Sequence, residues 1–336
     1  MKILITGVAG FIGFHLAKKL LNEKKEVVGV DNLNHYYDVN LKLSRLKQIK
    51  NYKNFKFIKL DLKNPKKVLE IFKIHKFDCI LHMAAQPGVK FSIENPYQYI
   101  DSNIISTVNL FEAVRKNSVK HFILASTSSV YGANRVVPFS VHHNTDHPIS
   151  FYAATKKSAE LIAHYYSAIF SIPTTILRFF TVYGPWGRPD MSYFLFTKNI
   201  LEEKPINVYN YGKTKRDFTY IDDIVECVIR VMLKPPVLNS SWDAEKLDPA
   251  SSFAPYRVYN VGNNKPVEIL RLIELLEEYL GKKAKKNLLK EMQPGDVLET
   301  YAEIDDLIKD FEFKPSTSIE EGIKKFVEWY KNYYKV

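Results

Sequence analysis

Near the amino terminus lies Lys2-Ile-Leu-Ile-Thr6, a short apolar stretch that runs directly into the turn Gly7-Val-Ala-Gly10-Phe-Ile-Gly13. The following residues, 14–21, repeat apolar side chains at helical spacing. Strand, glycine turn and helix therefore follow in the order of a dinucleotide-binding unit. In such a turn Gly7 permits the tight bend, Gly10 admits a pyrophosphate, and Gly13 lets the helix pack against the strand, while the helix N-terminus attracts the phosphates.

A carboxylate at the end of the second strand indicates which dinucleotide fits. The apolar run Val27-Val-Gly-Val30 ends at Asp31, about 20 residues after the turn, where an acidic side chain can bind the adenosine ribose. A carboxylate would repel a 2′-phosphate, so Asp31 favours NAD over NADP. The alternative is an α/β protein with the same turn and aspartate that binds no nucleotide.

Beyond this unit, short apolar strands alternate with helical stretches, which predicts an α/β fold: a Rossmann-type, doubly wound parallel sheet with helices on both faces. The strands are expected near 2–6, 27–31, 55–59, 78–83, 121–126 and 174–180, and the helices near 12–22, 65–75, 98–117 and 152–169.

The same pattern predicts two domains. Residues 1–180 are expected to form an NAD-binding domain, which about 216–235 and 256–264 rejoin. Residues 181–336 are expected to form mainly a smaller α/β domain for the substrate.

Composition excludes several classes of protein. The net charge is +11, but the lysines are spread along the chain among acidic residues and no nucleic-acid motif accompanies them. Cys79 and Cys227 lie in apolar stretches, and neither they nor the histidines of 142–147 have metal-ligand spacing. With no long apolar run and no room for a signal peptide before the first strand, we expect a cytoplasmic protein without membrane or nucleic-acid partners.

Two further patterns indicate acid/base chemistry. Tyr152 and Lys156 stand four residues apart on a predicted helix, so both project from one face. An ammonium beside a phenol favours the phenolate, which can then act as a base. The alternative is a chance helical pair, stabilising by a few tenths of a kcal/mol. The run Ala125-Ser-Thr-Ser-Ser-Val-Tyr-Gly132 follows the fifth strand and could offer a hydroxyl to a substrate.

Together these patterns resemble the extended short-chain dehydrogenase/reductase family over essentially the whole chain, in particular its nucleotide-sugar epimerases and dehydratases. Further matching blocks are Arg178-Phe-Phe-Thr-Val-Tyr-Gly184-Pro, Arg216-Asp-Phe-Thr-Tyr-Ile-Asp-Asp223, Tyr259-Asn-Val-Gly262 and Gln293-Pro-Gly-Asp296.

The resemblance implies the site residues. Tyr152 would be the base, Thr127 its hydroxyl partner, and Lys156 would hold the nicotinamide ribose. The NAD site would comprise Gly7, Gly10, Phe11, Ile12, Gly13, Asp31, Asn32, Asp61, Leu62, Met83, Ala84, Ala85, Gln86, Asn103, Tyr152, Lys156 and Phe180. The UDP-sugar site would comprise Lys90, Thr127, Ser128, Ser129, Thr181, Arg188, Arg216, Gln293 and Asp296.

The hydroxyl run lacks an acidic residue, and this narrows the range of reactions that the site could catalyse. Similar sugar dehydratases and decarboxylating synthases carry an acidic residue just after the threonine, where this chain has Ser128 and Ser129. A dehydratase needs an acid/base pair to remove the C5 proton and expel the 6-hydroxyl. Oxidation and re-reduction at one carbon remain, which is the chemistry of a 4-epimerase.

The run Gly184-Pro-Trp-Gly-Arg188-Pro-Asp-Met191 resembles the signature of UDP-glucuronate 4-epimerases. An arginine in a pocket loop can form a bidentate pair with a sugar carboxylate, although it could also only brace the loop. Lys90 would be a second cation, at a position where the family more often has arginine. Two alternatives stay open: a 4-epimerase of a neutral or N-acetylated UDP-hexose, and a non-catalytic NAD-binding scaffold.

The stretches near 98–117 and 152–169 are apolar on more than one face. The resemblance implies that they form a four-helix interface in a homodimer, and that the product serves polysaccharide biosynthesis. Apolar helix faces more often pack only against the sheet of their own chain.

Overall fold

A seven-stranded parallel sheet forms the centre of the protein, with the strand order β3-β2-β1-β4-β5-β6-β10. The structure is a computed structural model that describes residues 1–293 and 295–336. The strands of this sheet are β1 (Lys2–Thr6), β2 (Glu26–Asp31), β3 (Phe55–Lys59), β4 (Cys79–His82), β5 (His121–Thr127), β6 (Thr174–Phe179) and β10 (Tyr256–Val261). The expected α/β fold with a doubly wound parallel sheet is confirmed.

Two smaller sheets lie in the second half of the chain. One has the order β11-β9-β7, and the other pairs β12 with β8. Their strands are β7 (Thr181–Tyr183), β8 (Ile206–Val208), β9 (Lys215–Tyr220), β11 (Pro266–Glu268) and β12 (Lys286–Leu288). The proposed division into domains near residue 180 stays a prediction.

Helices cover both faces of the central sheet, as in other doubly wound folds. They are α1 (Phe11–Asn22), α2 (Val39–Ile49), α3 (Pro65–Ile74), α4 (Val89–Glu94), α5 (Pro96–Tyr99), α6 (Ser106–Val114), α7 (Phe151–Phe170), α8 (Ser192–Leu201), α9 (Ile221–Leu233), α10 (Ile269–Leu280), α11 (Asp305–Phe311) and α12 (Ile319–Tyr334).

The predicted elements are present with small shifts, except for one helix. The stretch near 98–117 was expected to be a single helix, whereas a π-helical turn, Ile100–Ile105, separates α5 from α6. A π turn inserts an extra residue, and such turns often lie at functional sites. The helix α2 was not among the helices predicted from the sequence.

The carboxyl ends of β1, β2, β4, β5 and β6 meet at one edge of the central sheet, because all its strands run parallel. Their apolar residues are almost fully buried on both faces, which explains the near-continuous apolar runs in the sequence. In a doubly wound fold this edge is where ligands bind.

A buried ion pair ties α7 to the sheet. The carboxylate of Glu160 accepts two hydrogen bonds from Arg178 on β6, at 3.0 and 2.8 Å, and a third from the hydroxyl of Ser126 on β5. Both charged side chains are almost inaccessible to solvent. Burial opposes the ionisation of Glu160, but the Arg178 guanidinium holds the pKa of that carboxyl below its usual value.

In the part of the chain that the structure describes, neither a membrane-spanning helix nor a cluster of metal-ligand side chains is found. Within 1–293 and 295–336, no helix is both long and apolar enough to cross a membrane. The same residues contain no group of three or more His, Cys, Asp or Glu side chains placed to hold a metal ion. Cys79 and Cys227 are buried free thiols, as expected, and burial raises the pKa of each.

We predict that Glu160→Gln lowers the free energy of unfolding by about 3–5 kcal/mol, because it leaves the Arg178 guanidinium buried without a counter-charge. Urea denaturation measures the change. Replacing both partners, Glu160→Leu with Arg178→Met, should recover most of it, since two apolar groups leave no unpaired charge. Glu321→Gln, which breaks an exposed pair with Lys325, serves as a control and should cost under about 1 kcal/mol. Equal losses for the buried and exposed pairs would contradict this account.

Candidate active site

A cavity of about 1110 Å³ opens at the carboxyl edge of the central sheet and continues into the smaller sheets. It exceeds the ~300–1,000 Å³ usual for one small ligand, so a dinucleotide and a second ligand can share it. Most of the sequence-predicted site residues line it: Gly7, Gly10, Phe11, Ile12, Gly13, Lys90, Asp31, Asn32, Asp61, Leu62, Met83, Ala84, Ala85, Thr127, Ser128, Ser129, Tyr152, Lys156, Phe180, Thr181, Arg188, Arg216, Gln293 and Asp296.

Two residues predicted to contact the cofactor, Gln86 and Asn103, are buried behind the cavity wall instead. The side chain of Asn103 accepts a hydrogen bond from the Gln86 amide at 2.7 Å and donates to Thr155 at 3.0 Å. Thr155 in turn donates to the carbonyl of Tyr152. The π-helical turn contains Asn103, which joins the segment after β4 to the start of α7, and its contact with the cofactor stays a prediction.

The glycine turn, here called the glycine cradle, packs so closely that a side chain on Gly7 or Gly13 would collide with backbone atoms. Gly7 has φ +70°, and a Cβ there would lie 2.9 Å from the backbone nitrogen of Ala84. A Cβ on Gly13 would overlap the Gly7 carbonyl. Gly10 caps α1 without a side-chain hydrogen bond, so the first amides of that helix face the cavity, where a phosphate is favoured.

Asp31 lies at the end of β2 and belongs to the same cradle. One carboxylate oxygen accepts from the Ala9 amide at 3.1 Å and the other from the Leu33 amide at 2.8 Å. Burial raises the pKa of Asp31, and these amides together with Lys42 oppose that rise. The carboxylate is therefore oriented by the backbone, with the cavity on its open side.

Lys42 is a cavity residue that the sequence analysis missed. Its ammonium is nearly buried and donates to the backbone and side-chain oxygens of Asn34, at 2.7 and 2.6 Å. Burial lowers its pKa, and the charge of Asp31 opposes that change. Because Lys42 lies on α2, which was not predicted, no sequence signal placed it beside Asp31.

Tyr152 and Lys156 lie one turn apart on α7, and both reach the cavity. The helix begins at Ser150, whose hydroxyl accepts from the Ala153 amide, so the tyrosine stands in the first turn. Thr127, the last residue of β5, lines the same cavity, and its hydroxyl donates to Ser129 Oγ at 3.2 Å. The three predicted catalytic side chains are thus brought together.

The pKa shifts correct one expectation. Burial raises the pKa of Tyr152, and the opposing influences are the charge of Arg188 and the polar hydroxyl of nearby Thr127. The expected lowering by Lys156 is wrong for the protein alone, because desolvation of the phenol dominates. Burial also lowers the pKa of Lys156 to about 8, opposed by Glu160, so its positive charge is lost above about pH 8.

Arg188 points into the cavity near Tyr152 but already has a partner. Its Nε and Nη2 donate to the two carboxylate oxygens of Asp190, at 3.0 and 2.7 Å. The hydroxyl of Tyr36 donates to the same carboxylate at 3.2 Å. Within the described residues Nη1 of Arg188 donates no hydrogen bond, which leaves one edge of the fork for a ligand. Arg188 therefore braces its loop and faces the site at once.

The far end of the cavity carries Arg216, predicted to face a diphosphate. Its Nη2 donates to Asp296 and to the Val297 carbonyl, both at 2.7 Å. Gln293 and Asp296 lie in the segment that this arginine holds. The exposed Lys90 lies on the wall formed by α4.

Several lining residues were not found from the sequence. Tyr36 lies in the loop after the second strand. Asp190 lies in the run 184–191, in which only Arg188 was predicted to bind the substrate. Others come from α8 and from the segment around β8: Asn199, Asn207, Val208 and Tyr209. A short, irregular pattern after residue 181 gave no signal for them.

The structure combines a doubly wound sheet, a glycine cradle, a strand-end carboxylate and a Tyr–Lys pair one helical turn apart. These features define the class of Rossmann-fold oxidoreductases and isomerases that use a nicotinamide dinucleotide. The family model described as "NAD dependent epimerase/dehydratase family" matches residues 3–262. The chain belongs to this family, which confirms the resemblance and the choice of NAD.

Relatives of known name are similar over the full length. The chain is 54% identical over 335 residues to Protein CapI of Staphylococcus aureus, covering 100% of both chains. It is 46% identical over 336 residues to a probable UDP-glucuronate 4-epimerase of Rhizobium meliloti, covering 100% of this chain and 98% of the relative.

Among solved structures, a UDP-glucuronic acid 4-epimerase from Bacillus cereus, in complex with UDP-glucuronic acid and NAD, has a TM-score of 0.86 to this chain. The two are 34% identical, and the match covers 99% of this chain and 100% of that one.

We predict that Gly7→Ala abolishes NAD binding, because the new Cβ collides with the Ala84 backbone and closes the cradle. Gly281→Ala is a matched control: its φ of +69° is nearly the same, but nothing lies within 4 Å of a Cβ there. Both variants carry the strain of a left-handed alanine, about 1–2 kcal/mol. Titration with NAD by calorimetry should show binding to the control alone. Equal NAD affinity in the two variants would rule out the proposed role of Gly7.

Proposed function

We propose that the protein is an NAD-dependent UDP-glucuronate 4-epimerase that interconverts UDP-glucuronate and UDP-galacturonate. The observation that carries this proposal is the Arg188 guanidinium beside Tyr152, in a cavity that also presents the hydroxyls of Thr127, Ser128 and Ser129. A base, a carboxylate-binding fork and hydroxyl donors then surround one sugar. The relatives named above support the same reading.

The residues of the cavity fit the cofactor. Gly7 and Gly13 let the turn and α1 pack more closely than a Cβ would allow, the first amides of α1 are then free for a pyrophosphate, and Asp31 is oriented for the adenosine ribose. When bound, NAD supplies the acceptor and donor of hydride at C4 of the sugar. Lys156 stands one turn beyond Tyr152, in position to hold the nicotinamide ribose.

Tyr152 performs the proton transfer. As phenolate it takes the proton from the sugar 4-hydroxyl while C4 is oxidised, and it returns the proton after C4 is reduced on its other face. Thr127, which lines the same cavity, can offer its own hydroxyl to the sugar 4-hydroxyl. Because burial raises the pKa of Tyr152 and the charge of Arg188 opposes that rise, Arg188 is the cation that favours the phenolate.

The diphosphate end must stay bound while the oxidised sugar turns. Arg216 is available there as a cation, fixed by Asp296 and Val297 at the end of the cavity far from Tyr152. A nucleotide held at that end tethers the ketone, so that both of its faces can be presented to the same hydride donor. Release of the ketone would leave the cofactor reduced.

A uronate brings a hazard, because a 4-keto group beside a C5 carboxylate readily loses CO₂. The open edge of Arg188 can hold that carboxylate, and Ser128, Ser129 and Thr181 can donate hydroxyl hydrogen bonds to it. Restraining the carboxylate restricts the geometry that cleavage of the C–C bond requires.

One observation favours a second candidate, a 4-epimerase of neutral or N-acetylated UDP-hexoses. The bidentate pair with Asp190 neutralises Arg188, so the site also tolerates an uncharged sugar. A non-catalytic scaffold is disfavoured, since Thr127, Tyr152 and Lys156 all converge on the cavity.

A substrate panel tests the proposal directly. Purified protein with NAD is incubated separately with UDP-glucuronate, UDP-glucose and UDP-N-acetylglucosamine, and the products are resolved by NMR. We expect UDP-galacturonate from the first and no product from the other two. Tyr152→Phe should lower the rate by about 10²–10⁴-fold, whereas Tyr279→Phe, a control on α10 outside the cavity, should leave it unchanged. Conversion of the neutral sugars alone would establish the second candidate.

We predict that Arg188→Ala weakens binding of UDP-glucuronate and increases formation of a UDP-pentose, because nothing then restrains the carboxylate. A charge-assisted hydrogen bond contributes about 1.5–3 kcal/mol, so the dissociation constant should rise by at least tenfold. Binding of UDP-glucose is the internal control and should change little. If neither the affinity nor the pentose yield changes, Arg188 only braces its loop.

We further propose that the protein is a cytoplasmic homodimer acting in polysaccharide biosynthesis. The dimer is supported by an apolar stripe on α7: Leu161, Tyr165 and Ile169 follow at intervals of four residues, with 59%, 53% and 62% of their surfaces exposed. Such a stripe on a folded chain marks an interaction surface. The bundle of α7 helices from two chains would bury it.

We predict that Leu161→Glu converts the dimer into a monomer, because a carboxylate on the stripe would be buried unpaired in the interface. Light scattering coupled to gel filtration measures the mass. Leu247→Glu, which changes a more exposed leucine outside the stripe, is the control and should remain dimeric. A wild-type protein that is monomeric at micromolar concentration would overturn the proposal.

A further inference from the structure

Arg45 on α2 is fully buried, and the hydrogen-bond partners of its guanidinium within the described residues are backbone carbonyls and a tyrosine hydroxyl, none of them a carboxylate. Its guanidinium donates to the carbonyl of Ala9 at 2.9 Å, to Trp186 at 2.6 and 3.1 Å, and to Gly187 at 3.0 Å. A fifth bond goes to the hydroxyl of Tyr37 at 2.7 Å. Burying a charge is costly in free energy unless all its hydrogen bonds are made. The burial of a charged side chain at this position therefore calls for a functional explanation.

The carbonyls that Arg45 binds belong to two ligand loops. Ala9 lies inside the glycine cradle, between Gly7 and Gly10. Its amide donates a hydrogen bond to the carboxylate of Asp31. Trp186 and Gly187 immediately precede Arg188. The guanidinium does not line the cavity itself, so it can affect ligands only through these two loops.

The loop before Arg188 holds an unusual shape that needs external support. Trp186 has φ +61°, in the left-handed region that is unfavourable for a large side chain. Its ring packs between Phe14 of α1 and Trp329 of α12. With the ring and the carbonyl both fixed, the direction in which the next residues leave the loop is fixed as well.

His15 makes a second, independent link. It lies on α1, the helix that follows the glycine cradle, and its Nε2 bonds to the Pro185 carbonyl at 3.0 Å. Burial lowers the pKa of His15 to about 3, so the ring is neutral near pH 7 and Nε2 must carry the proton that it donates. Three successive carbonyls, from Pro185 to Gly187, are thus held by the nucleotide-binding part of the fold.

We propose that Arg45 is a positioning residue that couples the glycine cradle to Arg188 and thereby sets where the sugar carboxylate is held relative to the nicotinamide. The inference rests on the proposed function, since it takes the ligand of Arg188 to be a uronate. The planar fork of arginine reaches carbonyls on both loops from one rigid group, which the single ammonium of lysine cannot do.

A double-mutant cycle tests the coupling. All proteins carry Tyr152→Phe to prevent turnover and are loaded with NAD, and calorimetry gives the dissociation constants of UDP-glucuronate and of UDP. Arg45→Lys keeps the charge but changes the geometry of the group that holds the two loops. It should raise the dissociation constant for UDP-glucuronate about tenfold, because the hydrogen bonds to the sugar are displaced. The dissociation constant for UDP should rise by less than about twofold. With Arg188→Ala already present, Arg45→Lys should add less than about twofold.

Two further variants keep the test decisive. His15→Leu removes the other link and should raise the constant for UDP-glucuronate about threefold, again only when Arg188 is present. It carries the test if Arg45→Lys does not fold by circular dichroism. Arg271→Lys, an exposed arginine of α10, is the matched control and should change neither constant.

Equal effects of Arg45→Lys with and without Arg188, or equal effects on UDP and UDP-glucuronate, would overturn the inference. The proposed function fails separately, if the unmodified protein does not convert UDP-glucuronate in the NMR assay. A protein that converts the uronate but shows no coupling retains its function and refutes only the role of Arg45.

Discussion

The buried pair of Glu160 and Arg178 is the interaction on which the chemistry depends. It joins α7, which carries Tyr152 and Lys156, to β6 and, through Ser126, to the end of β5 beside Thr127. A pair of charges in this position stabilises little against apolar residues of the same size. Its directional bonds, however, fix the helix in one register on the sheet, and Glu160 also opposes the loss of charge from Lys156 one turn away.

The site is assembled by contacts between distant parts of the chain. The glycine cradle follows β1 and Tyr152 lies on α7, which packs on the central sheet, whereas Arg188 and Arg216 come from segments beyond β6. The second group is attached to the first through backbone carbonyls, because Arg45 and His15 on the nucleotide side hold the loop before Arg188. The substrate side is therefore built around the nucleotide side and takes its geometry from it.

Local patterns were sufficient to predict the parallel sheet, the cradle, Asp31 and the catalytic helix, because each depends on neighbours within a few residues. Contacts across long separations were not predictable. Arg45 bonds to Trp186, 141 positions away, and Lys42 lies beside Asp31 only because α2 folds back over the cavity. The bonds of Asn103 to Gln86 and Thr155 depend on a π-helical turn that no local pattern indicated. The pKa of Tyr152 was assigned from its cation alone, whereas burial of the phenol determines the direction.

The last strand of the central sheet comes late in the chain, and this affects how the protein can be made. Tyr256–Val261 pairs along the whole of β6, and the Thr174 amide donates to the Pro255 carbonyl. During synthesis the edge of β6 therefore stays unpaired until more than 80 further residues, counted from Thr174 to Tyr256, have left the ribosome. An exposed apolar strand edge invites pairing with other chains. Over that interval, chaperones should be needed to shield the exposed edge of the nascent chain. A fragment ending at residue 180 would keep the same exposed edge permanently.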